Sequence, residues 1–274
     1  NLYLISNAKI NLDNKNIIAI GDSHFENGLI EDSLTACVSF AKNSDSYELM
    51  YYKLKTAINQ KNDISTILLS VSYNNWSAFY DDYYYLDKWN PEHQLTQLYP
   101  YINPIKLITG SRKTNIKAYF AIIVKNMLLH PTRKHIQYGG FGYFKRDYSN
   151  LRNSKPDESI KRHFYSSDSN KTIGFSNIQS IFFRKIITLC SKHNLNLKLI
   201  FTPLHKDYKN AVPQEYIEQM NSEISVALKQ KHVVFWDFSE LNLEDHYFID
   251  HDHLNYEGAK LFTHLIEKKL TYTN

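Results

Sequence analysis

Short apolar runs that stop at glycine, serine or asparagine recur along this chain, and they alternate with longer stretches of helical periodicity. Runs of this kind are typical of buried strands that end in tight turns. They predict five strands, at residues 16–20, 34–41, 64–71, 197–201 and 232–236. The intervening pattern predicts a short helix after Ser23 and longer helices at about 47–60, 177–193, 213–229 and 255–269.

The order of these elements predicts the fold class. Strands that alternate with helices require right-handed crossovers and favour a parallel sheet with helices on both faces. We therefore expect an α/β fold, a three-layer sandwich around a central parallel five-stranded sheet.

The alternation stops after the third strand. Between about residues 73 and 174 the chain carries an aromatic-rich stretch from Trp76 to Trp89, an apolar helix near 116–129 and a glycine-rich turn. A structureless loop of that length is rare in a compact domain. We expect one domain over residues 1–274, with 73–174 as an inserted lid or subdomain over the carboxyl ends of the strands.

Composition excludes several classes of protein. Apolar residues make up 43% of the 274 residues and charged residues 22%, as in globular proteins rather than disordered ones. No run approaches the eighteen or so apolar residues of a transmembrane helix. Cys37 and Cys190 show no metal-binding spacing and are expected to be buried free thiols, and we expect neither a metal nor a cofactor. Because the chain starts at Asn1, we expect a processed or trimmed product, with any signal peptide or membrane anchor upstream.

Positive charge is concentrated in the predicted insertion. Residues 101–175 contain 14 Lys/Arg and 4 Asp/Glu, a net charge of +10, whereas the whole chain carries +4. This segment is either a solvated surface or a basic face for an acidic partner such as an anionic glycan or phospholipid headgroups. No nucleic-acid partner is expected, since the chain has no zinc-finger spacing, ribonucleoprotein motif or basic heptad.

Polar residues with catalytic chemistry follow the first and last strands. Ser23 comes directly after the first strand, in Gly-Asp-Ser, and Asp250 and His253 follow the last strand with two residues between them. The carboxyl ends of parallel strands share one rim, where ligands bind in open α/β sheets. An aspartate and a histidine so spaced supply the base and the orienting carboxylate of an acyl-transfer triad, although Asp252 competes for the second role. Ser23 is read as the nucleophile, the alternative being a cap on the following helix.

The blocks Gly21-Asp22-Ser23 and Asp250-x-x-His253-Leu254-Asn255 resemble those of the SGNH/GDSL hydrolase-fold family. That family comprises esterases, acetylhydrolases and acyltransferases built on a flavodoxin-like sheet. The resemblance implies that Ser23 is the nucleophile, His253 the base and Asp250 its orienting partner.

The same resemblance implies an oxyanion hole. The family's asparagine after the third strand corresponds to Asn74, with Asn75 as the alternative, although the glycine and aspartate of that block are missing. A family glycine after the second strand falls at Ser44. The oxyanion would then be bound by the Asn74 amide and the backbone N–H groups of Ser23 and Ser44.

The substrate is suggested by softer signals. We expect four residues to line the substrate site: His24, His205, Tyr73 and Trp76. His205 is equally readable as a surface-loop histidine, and the aromatic stretch as packing for the insertion.

Taken together, the sequence predicts a serine-dependent ester hydrolase or O-acyltransferase acting on acyl groups, expected to be acetyl, of a bacterial glycan. The alternative is a catalytically silent module that binds glycan or a membrane acyltransferase. The resemblance favours an extracytoplasmic or membrane-associated location over a cytoplasmic one, behind an upstream anchor or beside a membrane acyltransferase partner.

Overall fold

The structure is a computed structural model. It describes residues 9–10, 12, 14–60, 63–81, 137–138, 143, 145–146, 148, 151, 154–166 and 171–272. Within these ranges no helix is both long enough and apolar enough to cross a bilayer.

A central sheet of five parallel strands organises the molecule. In chain order the described strands are β1 Lys9–Ile10, β2 Ile17–Ile20, β3 Cys37–Ser39, β4 Thr66–Val71, β5 Gln137–Tyr138, β6 Asn196–Phe201 and β7 Val233–Asp237. The sheet order is β3-β2-β4-β6-β7, and every neighbouring pair is parallel. The two remaining strands, β1 and β5, form a short parallel pair of their own. The expected parallel five-stranded sheet is therefore confirmed.

The second predicted strand is shorter than its apolar run suggested. β3 covers Cys37–Ser39, because a 3-10 turn occupies Glu31–Ser33 and Ala36 adopts a left-handed φ of 58°. A residue in that region interrupts extended backbone, so the strand cannot start earlier. The other four strands lie within two residues of their predicted ends.

Helices cover both faces of the sheet. They are α1 Ser23–Gly28, α2 Tyr47–Gln60, α3 Pro156–Phe164, α4 Asn177–Lys192, α5 Lys206–Ala211, α6 Gln214–Ala227 and α7 Tyr256–Tyr272. Buried side chains of α2, α4 and α6 share one core with alternate strand residues such as Ile18 and Leu69. Buried side chains of α1 and α7 share a second core with Ala19 and Leu68 on the opposite face. This is the expected three-layer arrangement.

Part of the predicted insertion packs into the first core. α3, which the hydrophobic pattern did not predict, buries Ile160 and Phe164, and the Phe164 ring lies 4.6 Å from that of Tyr216. Its other residues are mainly polar, so its apolar stripe is too narrow to detect. The helix predicted near 116–129 lies outside the described residues, and the limits of the 73–174 insertion stay a prediction.

His163, on α3, is a buried histidine in contact with uncharged and cationic neighbours. Its Nδ1 lies 2.8 Å from the Tyr208 hydroxyl and its Nε2 lies 3.5 Å from Arg162 Nη2. Burial lowers the pKa of His163 to about 3, although the charge of Asp252 acts in the opposite direction. The neutral imidazole is therefore the folded form at physiological pH.

This burial predicts a specific loss of stability in acid. Above the unfolded pKa of histidine, near 6.5, the imidazole is neutral in both the folded and the unfolded state, so its titration does not lower stability. As the pH falls from there towards about 3, the unfolded state binds a proton that the buried imidazole does not, and the free energy of unfolding falls. We expect the free energy of unfolding of wild type to fall, relative to His163→Gln, by up to about 1.4 kcal/mol per pH unit in this window. Urea denaturation at several pH values measures the difference. Parallel pH profiles for the two proteins would contradict the assignment.

Candidate active site

The Gly21-Asp22-Ser23 segment lies where β2 ends and α1 begins. A Cβ atom on Gly21 would lie 2.5 Å from the Cβ of Ser70 on β4, so only glycine allows the two segments to approach this closely. Asp22 caps α1 by accepting a hydrogen bond from the backbone N–H of His24 at 3.1 Å. Ser23 is thereby the first residue of the helix, half-buried at the carboxyl rim of the sheet.

His253 connects the two ends of the chain at this rim. Its Nε2 lies 2.8 Å from Ser23 Oγ, and its Nδ1 lies 3.0 and 3.1 Å from the two carboxylate oxygens of Asp250. A carboxylate only accepts hydrogen bonds, so Nδ1 carries the proton and Nε2 presents a lone pair to the serine hydroxyl. The structure thus brings together Ser23, His253 and Asp250 in the geometry of a nucleophile, a base and an orienting group.

Backbone groups hold the Asp250 carboxylate in place. Its Oδ1 accepts hydrogen bonds from the N–H groups of Asp252 and His253, at 2.9 and 2.8 Å. These bonds fold the 250–253 loop around the carboxylate. Burial alone would raise the pKa of Asp250, but hydrogen bonding to His253 and its charge lower it. An ionised Asp250 is therefore the stable form beside His253.

Asp252, the sequence's competing orienter, has a different partner. Its Oδ1 lies 3.0 Å from His24 Nε2, while its other oxygen lies 3.9 Å from His253 Nε2. The hydrogen bond to His253 Nδ1 belongs to Asp250. In this structure, Asp250 rather than Asp252 occupies the orienting position.

His24 lies between two buried carboxylates. Its Nδ1 is 3.1 Å from Asp22 Oδ1 and its Nε2 is 3.0 Å from Asp252 Oδ1, and all three side chains are at most 2% exposed. Two acceptors require a proton on both ring nitrogens, which makes His24 an imidazolium. Burial opposes this charge, but Asp22 and Asp252 raise the pKa of His24 well above its usual range.

The two histidines of the site are stacked on each other. The ring centroids of His24 and His253 lie 5.5 Å apart with an interplanar angle of 27°. A fixed positive charge therefore lies over one face of the His253 imidazole, and Asp252 compensates for it. Burial alone would raise the pKa of Asp252, but the charges of His253 and His24 hold it well below its usual range.

The two adjacent asparagines after β4 have distinct environments. Asn75 donates from Nδ2 to Asp22 Oδ2 at 2.8 Å and accepts from the Ser72 backbone N–H at 2.7 Å, so its amide is committed to the scaffold. Asn74 accepts a hydrogen bond from the Ser72 hydroxyl through Oδ1. Within the described part of the chain, its Nδ2 has no hydrogen-bond acceptor. Asn74 is therefore the better candidate for binding a ligand oxygen.

Ser44 takes the backbone conformation of a glycine. Its φ is 62°, in the left-handed region where glycine is the favoured residue. The buried Lys53 ammonium stabilises the loop around Ser44. It donates hydrogen bonds to the Asp45 carboxylate and, at 3.0 Å, to the Phe40 carbonyl. The backbone at Ser44 thus has a conformation that glycine favours.

Three of the expected substrate-lining residues are buried instead, which corrects those predictions. Trp76 is fully buried and its ring lies 5.2 Å from that of Phe183, while Tyr73 packs edge-on against Phe201 at 4.7 Å. His24 is enclosed by the two carboxylates. Large aromatic side chains just after β4 complete the core, so their sequence position did not reveal an exposed surface.

His205, the fourth expected substrate-lining residue, is 3% exposed and lies against Asp245, with His205 Nε2 3.2 Å from Asp245 Oδ1. Neither of the two earlier alternatives, a substrate contact or a surface-loop histidine, describes this buried position.

The role of Asp252 as the partner of His24 was also missed. The sequence offered one signal, because Asp22 lies beside His24 in the Gly-Asp-Ser-His turn and Asp252 lies in the last loop. A spacing argument alone could not pair Asp252 with His24.

Comparisons with known proteins give weak similarities. A family model without a functional description matches residues 143–273, and no curated protein matches this chain. A proposed acylhydrolase from Bacteroides fragilis aligns at TM-score 0.43 and 10% identity, over 97% of this chain and 90% of that one. A GDSL-like lipase from Bacteroides thetaiotaomicron aligns at 0.43 and 9%, over 96% and 90%.

A psychrotrophic esterase from Pseudoalteromonas aligns at TM-score 0.38 and 11% identity, over 95% of this chain and 100% of that one. Such values are too low to assign a function. The functional assignment therefore depends on the contacts within the site itself.

The two carboxylates of the 250–253 loop are expected to differ sharply in their effect on stability. Asp252→Asn leaves the buried His24 imidazolium with one counter-charge, and breaking a buried pair costs about 3–5 kcal/mol. Asp250→Asn keeps an oxygen that accepts both backbone N–H groups, so it should cost about 1 kcal/mol or less. Urea denaturation of the two variants measures this difference, and equal costs would contradict the assignment of separate roles.

Proposed function

We propose that this chain is a serine-dependent ester hydrolase or O-acyltransferase that acts on acyl groups, principally acetyl, of a bacterial glycan. The observation that carries the proposal is the 2.8 Å contact between Ser23 Oγ and His253 Nε2, with Asp250 on the other imidazole nitrogen. Serine is a weak nucleophile at neutral pH unless a base lies within hydrogen-bond distance. That base is present here in the tautomer that accepts the serine proton.

The proposed reaction has two halves. His253 Nε2 removes the hydroxyl proton as Ser23 Oγ attacks the ester carbonyl, and Asp250 stabilises the resulting imidazolium through Nδ1–H. The same proton then goes to the departing alcohol, which leaves an acyl-serine. In the second half His253 takes a proton from water, giving hydrolysis, or from a sugar hydroxyl, giving transfer, as that oxygen attacks the acyl carbonyl. The bond between the acyl group and Ser23 Oγ then breaks, and His253 returns the proton to Ser23 Oγ.

The oxyanion of each tetrahedral intermediate requires fixed donors. We assign this role to the Asn74 amide and to the backbone N–H groups of Ser23 and Ser44. Three facts support the assignment: the Asn74 Nδ2 has no acceptor among the described residues, Ser23 opens a helix, and Ser44 has the left-handed backbone of a glycine. The N–H groups of a first helical turn lack intrahelical partners and can bind an anionic oxygen.

The choice of an acidic glycan as substrate comes from charge. The segment 101–175 carries a net +10, and its described part reaches the site, where Arg162 Nη2 lies 4.0 Å from Asp252 Oδ2. A concentration of positive charge beside a cleft raises the local concentration of anionic substrate. The resemblance to acetylhydrolases and acyltransferases adds the acetyl group, the extracytoplasmic setting and an upstream anchor or membrane acyltransferase partner.

The first functional test uses two assays. One measures the hydrolysis of p-nitrophenyl acetate, and the other measures the release of acetate from an O-acetylated acidic polysaccharide. We expect wild type to turn over both and Ser23→Ala to fall to background, because the nucleophile is gone. Ser33→Ala, an exposed serine outside the site, serves as the matched control and should retain the wild-type rate.

Equal rates for wild type and Ser23→Ala would contradict the proposal that this chain is a serine-dependent enzyme. They would favour the alternative, a catalytically silent binding module. If wild type hydrolyses p-nitrophenyl acetate but no polysaccharide, the serine chemistry would stand and the glycan would be wrong. Acetate transferred to a sugar hydroxyl, detected by mass spectrometry, would identify a transferase.

The second functional test separates Asn74 from Asn75. Loss of an oxyanion donor typically lowers turnover about 10²- to 10³-fold, so Asn74→Ala should do this with little change in Tm. Asn75→Ala instead removes a hydrogen bond to the buried Asp22 carboxylate and should lower Tm. Ester assays and thermal denaturation of both variants check this. A wild-type rate in Asn74→Ala would remove that residue from the oxyanion hole.

A further inference from the structure

A second cluster of polar side chains lies beside the catalytic loop. His205 precedes α5, Asp207 is in its first turn, and His251 lies in the loop between Asp250 and His253. One ligand atom from each of the three lies within 4.8 Å of the others. Both histidines are buried, whereas half of the Asp207 side chain is exposed. The proposed hydrolysis uses none of these side chains.

Hydrogen bonds around the cluster fix where the two imidazoles carry their protons. His205 Nε2 lies 3.2 Å from the Asp245 carboxylate, so it is protonated, and Nδ1 accepts the Asp207 backbone N–H at 3.3 Å. The Ser154 hydroxyl donates to the Leu151 carbonyl at 3.5 Å, which leaves its oxygen to accept from His251 Nδ1 at 3.1 Å. The nitrogens whose lone pairs could bind a ligand are therefore His251 Nε2 and, once it releases the Asp207 backbone N–H, His205 Nδ1.

The same carboxylate lies near both of these nitrogens. Asp207 Oδ2 lies 3.7 Å from His205 Nδ1 and 3.9 Å from His251 Nε2. The two rings are nearly perpendicular, at 86°, with centroids 4.8 Å apart. His205 Nδ1, His251 Nε2 and the Asp207 carboxylate thus place three potential metal ligands within 4.8 Å of one another. Such an arrangement is suited to a cation.

We propose that His205, Asp207 and His251 form a binding site for a divalent metal ion of the zinc type. Zinc prefers imidazole nitrogen and carboxylate oxygen at about 2.0–2.2 Å, which places neighbouring tetrahedral ligand atoms roughly 3.4 Å apart. Both distances to Asp207 Oδ2 exceed this value by a few tenths of an ångström. The three ligand atoms together lie within 4.8 Å of one another, so binding requires the two imidazoles as well as the exposed Asp207 side chain to close in around the ion. Water would occupy the fourth position.

The surroundings of the cluster match those of a metal centre. A histidine that binds a metal usually donates its other ring N–H to a carboxylate, carbonyl or hydroxyl, and here Asp245 and Ser154 are those acceptors. The Asp207 backbone N–H would give up its weak contact with His205 and bond to water.

The site would act on the catalytic loop by proximity. His251 is bonded in sequence to Asp250, whose carboxylate orients His253. An ion bound by His251 in the loop and by His205 and Asp207 at the start of α5 would cross-link these two segments. The structure thus assigns the ion a role in stabilising the loop, separate from the chemistry at Ser23.

Zinc titration of the purified chain against a chromophoric chelator tests the site, with Co²⁺ and its visible absorption as a second probe. We expect one ion per chain. Asp207→Asn and His251→Ala should weaken binding at least about 10-fold, and Asp245→Asn about 10- to 100-fold. Tm should rise by about 5 °C when free zinc exceeds Kd roughly 100-fold.

Two matched variants control for adventitious binding at the surface. His264→Ala removes an exposed histidine and Asp157→Asn an exposed aspartate, and both should bind zinc as wild type does. Asp207 is exposed, so its variant folds even where His251→Ala does not. Unchanged zinc affinity in Asp207→Asn and His251→Ala, or no binding by wild type at about 100 μM free zinc, would overturn the proposal. Since the readout is binding, it is independent of esterase activity.

Discussion

The site depends on the hydrogen bonds that the buried carboxylate of Asp22 accepts. It is 1% exposed, caps α1, binds the His24 ring and accepts the Asn75 amide. These bonds connect the end of β2, the first turn of α1 and the turn after β4. Burial by itself would raise the pKa of Asp22, but the His24 charge and these hydrogen bonds lower it. A buried carboxylate is stable only when its oxygens are satisfied in this way, so the turn that presents Ser23 has little freedom to move.

Through His24 the same charge arrangement extends to the far end of the chain. Negative Asp22, positive His24 and negative Asp252 alternate through the interior, and Asp252 belongs to the loop that carries Asp250 and His253. Ser23 and His253 are thus joined twice: once by their own hydrogen bond and once by the buried ion pairs behind it. The second connection does not depend on the hydrogen bond between Ser23 and His253.

Sequence reasoning recovered the parts of this molecule that periodicity and short motifs encode. Strand positions followed from apolar runs such as Ile17–Ile20, and the meeting of Ser23 with His253 followed from the rule that parallel strands share a rim. The buried positions of Trp76 and Tyr73 did not follow, because an aromatic residue after a strand can face either core or solvent. The His24–Asp252 pair and the histidine cluster at His205 were inaccessible for another reason: they join segments far apart in sequence, with no repeated spacing.

The sequence separation of Ser23 and His253 has a consequence for synthesis of the protein. The two residues are 230 positions apart, and β2, which positions the serine, lies near the middle of a sheet whose β6 and β7 come from the last third of the chain. At about 5–20 residues per second, the histidine follows the serine out of the ribosome roughly 10–50 seconds later. A nascent chain or a fragment that ends before residue 253 holds Ser23 without His253. The contact between Ser23 and His253 therefore forms only with the finished fold.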